Sequence, residues 1–241
     1  MDVPSVRNLA KQIFQRFGLE INPTPSKLSV WDIDFIRWIE DARTRGVDPN
    51  DLGDDEWATD LLDTGLTEVY GPLLRFDSRI LEVGPGTGRL SRHLIGNDRH
   101  LTVVDRSQVV CDWITSYLVG KGAHTVLRSY NSSVSGVESA SIDVVVAHGV
   151  FEHFDLDTTY WFLSDFRRVL KRGGAVAFNF NNATSKDGLA HLHATSSPDQ
   201  PSVFRFHAPT AICAAARAVG FTTAEVRESA GRIAFAVCHT E

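Results

Sequence analysis

The chain has 241 residues, 43% of them apolar, and a formal net charge of -6, which suits one α/β domain with an added segment and an ordinary globular core. Lys and Arg are scattered singly or in pairs, so no basic stripe marks a nucleic-acid track, and a polynucleotide partner is not expected. No run of about 18 apolar residues is present to span a membrane, and Cys111, Cys213 and Cys238 are far apart, odd in number and without metal-type spacing, so neither a zinc site nor a disulfide framework is expected.

At the N-terminus, MDVPSVRNLAKQIFQRFG is broken by Pro4 and charges before any leader-like apolar run develops, which favours a cytoplasmic protein. Val6, Leu9, Ile13 and Phe17 recur at helical spacing, as do Trp31, Phe35 and Trp38 with Ile36 and Ile39. The proline loop NPTPSK at 22–27 parts these two amphipathic helices. After the acidic loop VDPNDLGDDE, a third helix carries Trp57, Leu61, Leu62, Leu66 and Tyr70 until Gly71 and Pro72 end it. Aromatic stripes of this kind read first as core. The functional alternative is that Trp31, Trp38, Trp57 and Tyr70 roof a ligand cleft. Residues 1–75 are therefore expected to form a helical cap, and 76–241 the main domain.

From Arg79 the pattern becomes strand, helix, strand. Apolar runs at 80–83, 101–104, 125–127, 142–147 and 175–180 are nearly continuous, as strands buried on both faces of a parallel sheet require. Helices fit between them: Thr87 to Ile95 with Leu90 and Leu94, one capped by Ser107, and one capped by Asp157. Pro209 starts another helix. Phe221 to Arg227 and Ile233 to Cys238 then read as strands joined by ESAGR, a link so short that only an antiparallel hairpin fits. The expected fold is α/β, a doubly wound, mostly parallel sheet of seven strands with a terminal hairpin.

Within this frame RILEVGPGTGRL, Arg79 to Leu90, turns a buried strand sharply into a helix through Gly84, Gly86 and Gly88. Glycine tolerates positive φ and leaves bare backbone N–H groups for a ligand. The spacing differs from the G-x-G-x-x-G fingerprint of nicotinamide sites, and an acid, Glu82, stands at the strand end. A carboxylate there repels phosphate and attracts an ammonium group, which suits S-adenosylmethionine, a cationic nucleoside with no phosphate.

The ILEVGPGTG segment resembles the first motif of the class I S-adenosylmethionine-dependent methyltransferases, and the seven-strand order with its hairpin resembles their Rossmann-like fold. The resemblance covers roughly residues 76–241. It implies that Glu82, Gly84, Pro85, Gly86 and Gly88 hold the donor, and that Asp105, which closes the second strand, receives both ribose hydroxyls. Arg106 stands where the family usually has an apolar residue against adenine. Asn131, followed by Ser132, stands where it often has an acid for the adenine amino group. After strand 4, in VVVAHGVFEHF, the backbone near Ala147 and His148 faces the methionine part, and His148, Glu152 and His153 are the titratable candidates on the acceptor side. His153 is the chosen general base, weighed against a purely structural Glu-His hydrogen bond.

The segment 181–207 reads as a long polar loop at the ligand edge, a lid or an insertion. His191 and His193 alternate in it, a weak metal pair without a carboxylate or cysteine, and no metal is expected. His207 is a second acceptor-side candidate, weighed against a residue that merely precedes the Pro209 helix. The expected function is methyl transfer from S-adenosylmethionine to an oxygen or nitrogen of a small molecule by a monomer or homodimer. The alternative is a non-catalytic cofactor- or partner-binding module on the same fold.

Overall fold

The computed structural model describes residues 29–52, 59–96, 98–129, 133–197, 199, 202–229 and 231–241. The expected first helix with Val6, Leu9, Ile13 and Phe17, and also Trp57, Asn131 and Ser132, lie outside the described residues.

Strands β1 (Arg79–Val83), β2 (His100–Asp105), β3 (Ala123–Arg128), β4 (Ile142–Ala147) and β5 (Leu170–Asn182) run parallel. The two-residue β6 (Phe206–His207) adds to β5, and β7 (Thr223–Glu228) and β8 (Ile233–His239) form the expected antiparallel hairpin. The order is β3-β2-β1-β4-β5-β8-β7, so the seven-strand path is present with β6 as a side addition. Helices α1 (Val30–Thr44), α2 (Thr59–Thr64), α3 (Ser91–Leu94), α4 (Gln108–Leu118), α5 (Leu156–Val169), α6 (Lys186–Thr195) and α7 (Pro209–Ala218) surround it.

Both sheet faces are buried, which explains why the strands read as unbroken apolar runs. Leu81, Val83, Val145 and Phe178 pack with Leu163 and Phe166 of α5 and with Ile212 and Ala216 of α7. On the other face Ile80, Val144, Val146 and Ala177 pack with Tyr70, Leu90, Leu94, Ile114 and Phe235. Helix α1 buries Phe35, Ile36 and Ile39 against Val109, Val110 and Trp113 of α4. The helical stripe of the sequence is thus core on its inner side.

Four expectations are corrected. The helix after the glycine loop is not Thr87 to Ile95 but only Ser91–Leu94, because Gly84, Gly86 and Gly88 hold φ of 68°, 54° and 96° and keep the chain out of helical geometry until Leu90. The cap of α5 is Asp155, whose carboxylate accepts from the Thr158 N–H at 2.8 Å, rather than Asp157. The helix before Gly71 ends at Thr64 and widens into a π-helical turn, Gly65–Tyr70. The segment 181–207 is not one long loop: Ser185 accepts from the Gly188 N–H at 2.9 Å and starts α6, and Phe206–His207 joins the sheet.

Candidate functional site

The three glycines have different surroundings. A Cβ on Gly84 would stand 2.5 Å from Val150 Cγ2, and one on Gly88 would stand 2.6 Å from the Tyr117 ring, so both positions are filled by packing. A Cβ on Gly86 meets nothing within 4 Å. Gly86 therefore offers bare backbone to open space at the carboxyl edge of β1, the cradle expected for a nucleoside ligand.

Glu82 does not line that cradle directly. Its carboxylate lies beneath the loop, 1% exposed, and accepts from the Ser91 hydroxyl at 2.6 Å. Burial pushes its pKa up to about 7 against the lowering effect of Ser91. Asp105 accepts from the Ser107 N–H at 2.7 Å, and burial, opposed by this bond and reinforced by the charge of Asp32, pushes its carboxyl up to about 6. Asp32 bonds the Ser107 hydroxyl with one oxygen and takes the Ser29 N–H and hydroxyl at 2.7 and 2.8 Å with the other. Sequence reasoning missed Asp32. Its signal was the Ser29-x-x-Asp32 capping box, which is present and also reaches across to β2. The Arg106 side chain is exposed.

On the other side of the loop, His148 follows β4, and its Nδ1 shares a 3.0 Å hydrogen bond with the Tyr70 hydroxyl. Burial and the nearby Arg89 push His148 down to about 4, so the ring is neutral. The Tyr70 phenol is raised by burial and by Glu82 and Glu152. The π-helical turn delivers this phenol, and a Cβ on Gly65 would meet its ring at 2.8 Å.

His153 is held differently. Its ring stacks on Phe204 at 5.3 Å and meets Trp31 edge-on at 4.8 Å. Its Nδ1 is 3.3 Å from the Val203 carbonyl, which can only accept, so Nδ1 carries a proton and Nε2 is the ring nitrogen left for a further partner. Among the described residues nothing engages Nε2. Burial raises Glu152, with His153 and Arg232 opposing it.

Asn179 on β5 is fully buried. Its Oδ1 accepts from the Gly149 N–H at 2.7 Å, while Nδ2 has no partner among the described residues. The sequence signal was FNFNN, alternating Phe and Asn at the carboxyl end of a strand. His207 Nε2 donates to the Phe154 carbonyl at 2.8 Å and ties β6 to the post-β4 segment. His191 and His193 lie on α6, two positions apart, so they do not share a face as an extended segment would allow. Among the described residues no three His, Cys, Asp or Glu side chains gather as a metal site.

Residues 81–178, from the glycine loop through Glu152 and His153 to β5, match the family described as "Methyltransferase domain". Residues 81–178 thus carry the sequence pattern of a methyltransferase domain. No curated protein matches the sequence. Among solved structures the chain is similar to a possible exported protein from Bordetella parapertussis at 16% identity and a TM-score of 0.62, covering 100% of this chain and 99% of that one. It is also similar to a SAM-dependent methyltransferase from Methanosarcina mazei at 15% identity and 0.59, covering 73% and 98%. A third likeness is DhpI in its SAH complex, at 16% and 0.59, covering 85% and 93%. These likenesses establish the Rossmann-like methyltransferase fold. No helix among the described residues is long and apolar enough to cross a membrane.

Proposed function

We propose that this methyltransferase moves the methyl group of S-adenosylmethionine to an oxygen or nitrogen of a small molecule. The observation that carries the reading is the juxtaposition of an open glycine cradle at Gly86 with a half-buried carboxylate, Asp105, at the next strand end. The residues present fit the donor. Asp105 takes the ribose hydroxyls, the Gly84–Gly88 backbone faces the methionine part, and Glu82 acts on the cation from below through its charge. Pro85, Arg106, Asn131 and Ser132 complete the proposed donor contacts, with the backbone of His148.

The donor supplies a methyl on a cationic sulfur, and the bond to sulfur breaks as the acceptor's lone pair forms the new bond. The chain's own work is alignment, exclusion of water and, for a protonated acceptor, removal of a proton. His153 suits that last task, since its Nδ1–H is tied back to Val203 and Nε2 is the ring nitrogen left for a further partner. His148 is the neutral ring that braces Tyr70. Helix α1, the π-helical turn and the 186–207 segment form the acceptor side. The three cysteines are unpaired, which suits a reducing compartment.

Calorimetry with S-adenosylmethionine tests the reading: it expects micromolar-range binding by the wild-type chain. Absence of binding at millimolar donor would remove it.

A further inference from the structure

Trp31 and Asp32 are consecutive residues in the first turn of α1. One touches the imidazole of His153, and the other bonds Ser107, two residues past Asp105. The acceptor side therefore lies against the donor cradle. Its wall is a ladder of rings from four segments. Trp31 meets His153, His153 stacks on Phe204, Phe204 meets His191 at 5.2 Å, and His191 meets Phe206 at 5.9 Å. Trp31 keeps 37% of its surface exposed, and Phe204, His153 and His191 are half-buried, so the ladder borders open space rather than filling a core.

The charge on this wall has a sign. Arg232 lies 5.9 Å over the Phe204 ring, with Nε donating to Asn181 Oδ1 at 3.2 Å. Its field reaches both Glu152 and His191. Guanidinium stays charged at any working pH, so Arg232 sets a fixed positive charge against the Phe204 rung of the wall. Such a site disfavours an ammonium-bearing acceptor and favours an oxygen nucleophile that is becoming anionic.

We propose that the ring wall binds a flat, unsaturated acceptor bearing an acidic hydroxyl, a phenol or an enol, and that O-methylation occurs on it. The inference rests on the methyl-transfer reading. Flat rings gain from offset or edge contacts with Trp31 and Phe204 that a saturated ring lacks. The proton fits the base: a phenolic hydroxyl titrates near 10, within reach of an imidazole, whereas a hydroxyl titrating near water's 15.7 is not. The hydroxyl proton passes to His153 Nε2 and then to solvent. The oxygen's electron pair forms the O–CH3 bond, and the sulfur keeps the pair of the S–CH3 bond that breaks.

The test uses the full chain and four probes, phenol, 1-naphthol, decahydro-1-naphthol and 1-naphthylamine, with binding read by tryptophan fluorescence and products by mass spectrometry. Donor affinity is measured on the same sample by calorimetry. The expected result is that 1-naphthol binds about tenfold more tightly than its saturated analogue and is methylated on oxygen, while 1-naphthylamine is methylated at least about tenfold more slowly. Phe204→Leu and Trp31→Leu each weaken 1-naphthol binding several-fold and leave donor affinity unchanged. Equal binding of the saturated ring, preference for the amine, or no binding of either hydroxyarene while the donor binds overturns the inference alone. Loss of donor binding by the wild-type chain overturns the methyl-transfer reading beneath it.

Discussion

Around the glycine loop, geometry is held by backbone and by short bonds among the ends of β1 and β2 and the turns that follow them: Gly84 N–H to the Val104 carbonyl at 2.9 Å, Ser107 N–H to Asp105, Ser91 to Glu82. Around His153, it is held by rings drawn from α1, the post-β4 turn, the 202–207 segment and α6. The first half is rigid because parallel strands on both sides fix every position. The second half is a meeting of side chains that no single element controls. On the proposed reading, the cofactor end is templated by the sheet and the substrate end is assembled around it, which leaves the substrate end free to change without disturbing the fold.

The largest expected separation of the two halves comes from His153→Gln. The turnover number falls by roughly 100- to 10,000-fold, as for loss of a general base, with donor affinity unchanged. Steady-state kinetics beside calorimetry check it, and a parallel loss of donor affinity would show that the halves are not separable. Asp105→Ala acts in reverse. It weakens donor binding by about 1.5–3 kcal/mol, the loss of charged hydrogen bonds, while acceptor binding by fluorescence is retained.

The glycines sharpen the comparison within the donor half. Gly88→Ala drives a methyl to 2.6 Å from Tyr117 and destabilises the fold by about 1–3 kcal/mol in denaturant unfolding. Gly86→Ala has room for its methyl, so it carries only the positive-φ strain, about 1–2 kcal/mol, and its main effect is on donor affinity. Should Gly86→Ala leave donor binding intact, the cradle lies elsewhere.

The smallest effect is a slope with pH. Glu82 is raised from 4.5 to about 7 and Asp105 from 3.8 to about 6, so each holds its proton more tightly in the folded chain. Their contribution to stability is complete at low pH, below the unfolded values, and is lost as pH rises toward 7. Glu82→Gln removes the upper part of that loss, so the Tm of the variant relative to wild type increases between pH 4.5 and 7. A constant difference would mean that Glu82 carries the same charge folded and unfolded. Donor affinity of the wild type rises with pH through the same window, because a cation favours the ionised carboxylate.

The glycine turn and its strands were legible because their signals are local. Three glycines, an acid at each of two strand ends and near-continuous apolar runs fix the turn, the sheet and Asp105 together. What sequence reading placed wrongly was also local in cause. Positive φ at the glycines shortened the helix assigned to Thr87–Ile95, and Ser185 supplied a cap that turned part of a presumed loop into α6. The ring cluster around His153 was legible only in outline. His153 and Trp31 are far apart in sequence, and nothing in either stretch states that their rings touch. Asp32 reads as a helix cap, and its second bond, to Ser107, exists only once α1 has docked on α4.

Strand β8 follows every other strand in the chain yet lies between β5 and β7. During synthesis, β5 therefore presents an open edge until residues 233–239 have left the ribosome and slipped in beside it. Phe235, which lies against Tyr70 and His148, arrives with that last strand. A nascent chain thus has its ligand turn long before it has a finished floor, and a ribosome stalled just short of residue 233 would expose a sticky, unpaired strand rather than a partly working enzyme.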